Sequence, residues 1–307
     1  MSSWWSRNRQ FILQLAGTIL AFLLLLLLLK EEDGTGVLVA MRQIEPTDLL
    51  WVAVLFAISR VAVAWRWHVL LLSGGIKIRF KDSLALNFMG LFAGNFLPTT
   101  IGGDVVRLVS LMQMGYDRAI SLASLAADRL IGMAGMAMTF PIGVAYSWNI
   151  LQKLSITLAF FARFNKPIAF LKRTLATFSI WFKKPASLLA ALAFTWIHML
   201  CLFGSIYIFV DDLGGHASFW MIAGLWSVTY FITLIPISIN GYGVQEYVFA
   251  VLLSNIVGLV PSVAVTIALL IRAYFLLSSL PGALFLPSIL AALAKQKTAV
   301  SSPEPFL

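Results

Sequence analysis

Charge is what this chain has least of. Only 11% of its 307 residues are Asp, Glu, Lys or Arg, while 60% are hydrophobic and the mean hydropathy is +0.92. A soluble domain is about 45–50% apolar and about 25% charged, so these charges are too few to cover a water-facing surface. A soluble globular protein is excluded, and so is a disordered one. Cysteine is nearly absent as well: Cys201 stands alone in an apolar run, which excludes an intrachain disulfide framework and a cysteine zinc site. The three histidines (His68, His198, His216) are far apart with no acid at ligand spacing, so no metal is expected. No Ser-His-Asp set, Walker loop or His-Glu-x-x-His run is present, so neither an enzyme, a nucleotide-driven pump nor a cofactor is expected. The net charge of +9 would suggest nucleic acid in a soluble protein. Here most basic residues lie between apolar runs, where they act as topology signals and headgroup contacts.

What is present is a series of runs long enough to cross a bilayer, about 20 residues each. They fall at 11–29, 49–72, 84–101, 119–147, 186–210, 217–239, 244–259 and 262–294. This predicts an all-α polytopic membrane protein of about eight transmembrane helices, with the 84–101 and 244–259 segments short for a crossing. Connection 30–48 is acidic (Glu31, Glu32, Asp33, Glu45, Asp48), and 66–83 is basic (Arg66, Lys77, Arg79, Lys81 against Asp82). Segment 149–185 holds seven basic residues and no acid, and reads equally as an amphipathic helix on the inner leaflet or as a plain topogenic loop. Basic loops resist translocation. The expectation is therefore a multi-pass protein of the cell (inner) membrane with both termini cytoplasmic.

Two Pro/Gly interruptions break the apolar runs: N-F-L-P-T-T-I-G-G-D-V-V-R from Asn95 and L-I-P-I-S-I-N-G-Y-G-V-Q-E from Leu234. Superposed on Pro98 and Pro236 they share P-x-[S/T]-I-[G/N]-G at an offset of 138, which also lays 186–210 over 48–72. The reading is a single transmembrane domain over 1–295: a first helix at 10–30, a repeat at about 48–148, the basic connection at 149–185, an inverted repeat at about 186–294, and a short tail at 296–307. The broken or re-entrant helices owe their breaks to Pro98, Gly102, Gly103, Pro236, Gly241 and Gly243. Proline removes a backbone donor and glycine relaxes the helix, and lipid cannot satisfy the groups so freed. Paired breaks in inverted halves point to a central transport site.

Ionisable side chains at membrane depth cost about 2.5–3.5 kcal/mol each on insertion scales and are functional candidates by default. Asp104 and Arg107 follow the first break, Asp128 and Arg129 lie in span 119–147, Glu246 follows the second break, and Arg272 lies in 262–294. Asp128 is expected to partner Arg129, and Arg60 has no assigned role. Both signs in one cavity suit a zwitterionic or anionic headgroup bearing a cationic substituent, since the arginine fork donates two bonds to phosphate. Asn95, Thr100, Asn240 and Tyr242 in the breaks either bond a headgroup or cap freed backbone groups.

The combination N-x-x-P-x-x-x-G-G-D-x-x-R, then D-R in the next helix, then P-x-S-I-N-G-x-G-x-x-E resembles the lysylphosphatidylglycerol synthase transmembrane-region family over roughly 10–295. The resemblance implies a flippase-like domain that moves a modified lipid between leaflets. It implicates the acid after Gly-Gly, the helix Arg and the late Glu, which match Asp104, Arg129 and Glu246. The chain ends in S-S-P-E-P-F-L without a soluble acyltransferase domain, so aminoacylating activity is not expected. Stand-alone members are associated with glycolipid and polyprenyl-linked sugar pathways. Membrane lipids, anionic phospholipid or polyprenyl-linked sugar, are thus the expected partners, with no nucleic acid and with homo-oligomers left open. The alternative is a non-catalytic membrane subunit that binds and regulates a glycosyltransferase or lipid-modifying enzyme.

Overall fold

A computed structural model describes residues 15, 18–20, 23, 35–96, 102–153, 184–235, 238–285 and 287. Every regular element among the described residues is helical: α1 (Thr35–Gln43), α2 (Pro46–Ser73), α3 (Phe80–Phe96), α4 (Gly102–Gln113), α5 (Arg118–Lys153), α6 (Pro185–Asp212), α7 (Phe219–Thr233), α8 (Val244–Leu252) and α9 (Pro261–Leu277). A 3-10 turn (Ile239–Gly241) precedes α8, a π turn (Leu253–Val257) follows it, and a second 3-10 turn (Leu280–Phe285) follows α9. Helices satisfy every backbone group within the segment, which is what an apolar solvent demands. α2, α6 and α9 each begin on a proline, whose missing donor costs nothing at a first helical position. Asp117 caps α5 by accepting the Ile120 amide at 2.9 Å, and Ser218 caps α7 by accepting that of Met221 at 3.2 Å.

Pro46–Ser73, Arg118–Ile150, Pro185–Asp212 and Pro261–Phe285 are long and apolar enough to cross a membrane. They correspond to four of the expected spans, and the expected first helix falls largely outside the described residues, as do the basic connection and the tail. The remaining expected spans are shorter helices. α3 (17 residues) and α7 (15 residues) are about 25 Å and 22 Å long against a hydrocarbon core of about 30 Å. Neither α3 nor α7 stands alone. Tyr116, just after α4, donates its hydroxyl to the Lys77 carbonyl just before α3 at 2.8 Å. Gly215, before α7, lies against Leu259, after α8. The α3–α4 and α7–α8 segments are therefore hairpins that return to the end they left. Counting residues straight through the first break made 84–101 look like a crossing, but the direction reverses there.

The chain divides into two compact units, one from the described parts of 1–59, 134–167 and 199–275, the other from 60–133, 168–198 and 276–307. The first contains hairpin α7–α8 and a core of Phe203, Phe209, Phe249, Leu225 and Ile267. In it α5 and α7 cross with no clearance, the Gly143 and Gly224 backbones touching, and Thr139 hydrogen-bonds Ser227 across the crossing. Small residues permit such approach where lipid provides no hydrophobic drive between helices. The second unit contains hairpin α3–α4, packed on Trp67 and Leu71 of α2 and on the turn at Leu280–Phe285, where Gly282 lies against the Phe88 backbone.

Candidate functional site

In the second unit the first break delivers a helix start. α4 opens Gly102-Gly103-Asp104, and a Cβ on Gly103 would overlap the Gly90 carbonyl of α3. The Gly-Gly pair thus serves close packing of the hairpin arms, which brings the third residue of α4, Asp104, against α5. There it pairs with Arg129, while Arg107, one turn on, reaches it at 3.5 Å. Arg107 also donates from Nη2 to Asp128 at 3.1 Å, and Arg66 of α2 donates from Nε to the other oxygen of Asp128 at 2.7 Å. The result is an alternating chain, Arg66–Asp128–Arg107–Asp104–Arg129. Its inner end is sealed: the Arg66, Asp128 and Arg107 side chains are buried, and the Arg107 guanidinium lies over the Trp67 ring, 3.8 Å from its centre. At the outer end the Arg129 side chain is 57% exposed.

In the first unit the second break works by a different device. Asn240, Gly241 and Gly243 have φ of 51, 73 and 78°; Asn240, at ψ 26°, sits in the left-handed well that asparagine tolerates, whereas Gly243, at ψ −46°, lies outside it, where only glycine goes at low steric cost. The Ile239 amide donates to the Thr18 hydroxyl at 2.9 Å. α8 then opens Val244-Gln245-Glu246. Glu246 accepts the Gly243 amide at 2.7 Å, which caps the helix, and pairs with Arg272 of α9. Arg272 also donates to Gln245 at 3.1 Å and lies over the Tyr242 ring at 4.7 Å. Glu246 is buried, and the Arg272 side chain is 11% exposed.

Sequence reading and structure agree on which residues gather at each break. Asp104, Arg107 and Arg129 come together in one unit and Glu246, Arg272 and Tyr242 in the other. Asn95 sits half-buried next to the end of α3, and Asn240 forms the left-handed turn. Pro98, Thr100 and Pro236 lie outside the described residues. The expected Asp128–Arg129 partnership is corrected, since neighbours on a helix point about 100° apart and Asp128 turns instead to Arg66 and Arg107. Arg66 was counted with a basic loop, yet it is buried in α2; its place inside run 49–72 was the available signal. Gln245 and Trp67 were not foreseen. Arg60 is also buried, its Nε donating to Ser278 at 2.8 Å.

The sequence profile described as the Lysylphosphatidylglycerol synthase TM region matches residues 14–164 and again 135–282. This chain belongs to that family. Each match contains one of the two hairpins, so both acid–arginine pairs lie in family sequence. Membership makes the chain a membrane domain of a family linked to lipid-related processes. No curated protein matches it.

Proposed function

We propose that this protein translocates a phospholipid or lipid-linked glycan between membrane leaflets, without chemically converting it. The observation that carries the reading is the Asp104–Arg129 pair, set at a helix break, with its arginine half exposed in the interior of a membrane-spanning helix. A charged pair kept only to be tolerated in lipid would be sealed, as Glu246–Arg272 is. An open pair offers a guanidinium fork for a phosphate and a carboxylate for an amine or sugar hydroxyls. Basic residues gather where α2 ends and α3 and α6 begin (Lys77, Lys81, Lys184), and acids where α2 begins and α6 ends (Glu45, Asp48, Asp211, Asp212). The charge rule assigns the first group to the cytoplasmic side of a cell membrane.

The test is leaflet-resolved transport in proteoliposomes with labelled anionic phospholipid, aminoacyl-phospholipid and polyprenyl-phosphate sugars. Wild type is compared with Arg129→Ala and Glu246→Gln, both checked for monodisperse elution. Transport of one class by wild type, lost in Arg129→Ala, is the expected result and names the substrate. No transport of any class by well-folded protein overturns the proposal in favour of a partner-binding membrane subunit.

A further inference from the structure

At the outer end of the ion-pair chain one partner is committed and the other is not. Asp104 has both carboxylate oxygens engaged, Oδ2 by Arg129 Nε and Oδ1 by Arg107 Nη1 at 3.5 Å, and its side chain is 20% exposed. Arg129 meets Asp104 through Nε, and among the described residues nothing bonds either of its terminal nitrogens. Arg107 and Arg272 differ in this respect. Arg107 gives one terminal nitrogen to each of two aspartates and lays its face on Trp67. Arg272 gives Nη2 to Gln245 and lays its face on Tyr242. The charges point the same way. Three guanidiniums alternate with two carboxylates along the chain, so the surplus positive charge falls on Arg129 at the exposed end.

A phosphate and an amine meet this end on unequal terms. Two phosphate oxygens fit the Nη1–Nη2 edge of Arg129, a fork of matching geometry, and displace nothing. An ammonium has to take Asp104 from two guanidiniums, and it approaches a surplus charge of its own sign. Of the groups an open pair can bind, this geometry offers the phosphate a free edge and gives the amine none. We infer that Arg129 holds the headgroup phosphate through its terminal nitrogens, that Asp104 is a positioning residue which aims this fork, and that the substrate is an anionic phosphate-bearing lipid without a cationic substituent. Aminoacylated lipid, which carries amines beside its phosphate, is the class selected against. The inference rests on the transport reading and narrows its substrate.

The experiment is equilibrium binding of radiolabelled dihexanoyl phosphatidylglycerol and of its lysyl ester to the purified full chain in an uncharged detergent, with inorganic phosphate as competitor. Wild type is expected to bind phosphatidylglycerol about tenfold more tightly than the lysyl ester, the scale of one charge-assisted contact. Arg129→Gln should lose most of that preference while keeping its unfolding midpoint. Arg129→Lys should fall short of wild type on phosphatidylglycerol, because an ammonium keeps the charge without the fork. Asp104→Asn should weaken phosphatidylglycerol binding by loosening Arg129, and weaken the lysyl ester no more than that; a merely structural role would not set the ratio of the two lipids. Equal or tighter binding of the lysyl ester by wild type overturns the inference, as does a preference that survives Arg129→Gln or a loss in Asp104→Asn that is greater for the lysyl ester. Displacement by inorganic phosphate at the concentrations at which the lipid itself competes also overturns it, since the site would then be one for free phosphate. The two readings fail separately: selective binding by a protein that moves no lipid in proteoliposomes refutes transport alone, and equal transport of both lipids refutes the headgroup preference alone.

Discussion

Each hairpin, together with the helix that follows it, places an acid and an arginine at matching positions, and the two use them differently. Asp104 is the third residue of α4 and Arg129 the twelfth of α5; Glu246 is the third residue of α8 and Arg272 the twelfth of α9. In each unit the short helix starts at a break and offers a carboxylate in its first turn, where the helix dipole favours negative charge. Yet one arginine is 57% exposed and the other 11%. Glu246 is held on both oxygens, by a backbone amide and by an arginine itself braced by Gln245 and Tyr242. Asp104 is instead the last carboxylate in a chain whose outer arginine is accessible. Identical chemistry at identical helix positions is therefore tuned by its surroundings, open in one unit and locked in the other.

The comparison can be broken most severely at Asp128, which anchors the inner end of the open chain. Asp128→Ala leaves Arg66 and Arg107 buried without a counter-charge and should cost about 3–5 kcal/mol, seen as a large drop in unfolding midpoint or in monodisperse yield; a midpoint like wild type would mean the chain does not support that unit. Next in size is the contrast between arginines. Arg272→Ala should destabilise by about 3 kcal/mol because Glu246 remains buried, whereas Arg129→Ala should change stability by about 1 kcal/mol or less while removing transport. Equal stability losses in the two would erase the distinction between locked and open. The glycines sharpen it further, because they act for different reasons. Gly103→Ala collides with the Gly90 carbonyl and should cost about 1–3 kcal/mol. Gly243→Ala puts a side chain on a backbone at φ 78 and ψ −46°, outside the left-handed helical well, and should cost about 1–3 kcal/mol; Gly243→Asn should lose as much, since asparagine is tolerated only inside that well. The smallest effect is expected from Tyr242→Leu, about 0.5–1 kcal/mol from the lost ring–guanidinium contact, read by the same melting assay.

Much of this was legible in the residues. Hydropathy located the long helices, Pro and Gly located both breaks, and the scarcity of charge made each intramembrane acid or arginine conspicuous. What could not be read was register and direction. Aligning the breaks on Pro98 and Pro236 at an offset of 138 sets Asp104 opposite Tyr242; the helix starts at Gly102 and Val244 instead pair it with Glu246. The difference is four residues taken up by a left-handed turn that no apolar period reveals. Direction failed at 84–101 for a related reason, since hydropathy does not register that a chain has doubled back. The Arg66 contact escapes the sequence because a basic residue near the end of an apolar run looks the same whether it faces water or an aspartate three helices further along the chain.

The crossing of Gly143 and Gly224 constrains how the first unit moves. Two backbones in contact, pinned by a hydroxyl pair one turn either side, leave no room to slide or roll, so α7 travels with α5 as a single lever. The other arm of that hairpin, α8, hangs from the Asn240–Gly243 turn, where Asn240, Gly241 and Gly243 all have positive φ. A rearrangement in this unit would accordingly swing α8 about that turn and leave α7 as its fixed post.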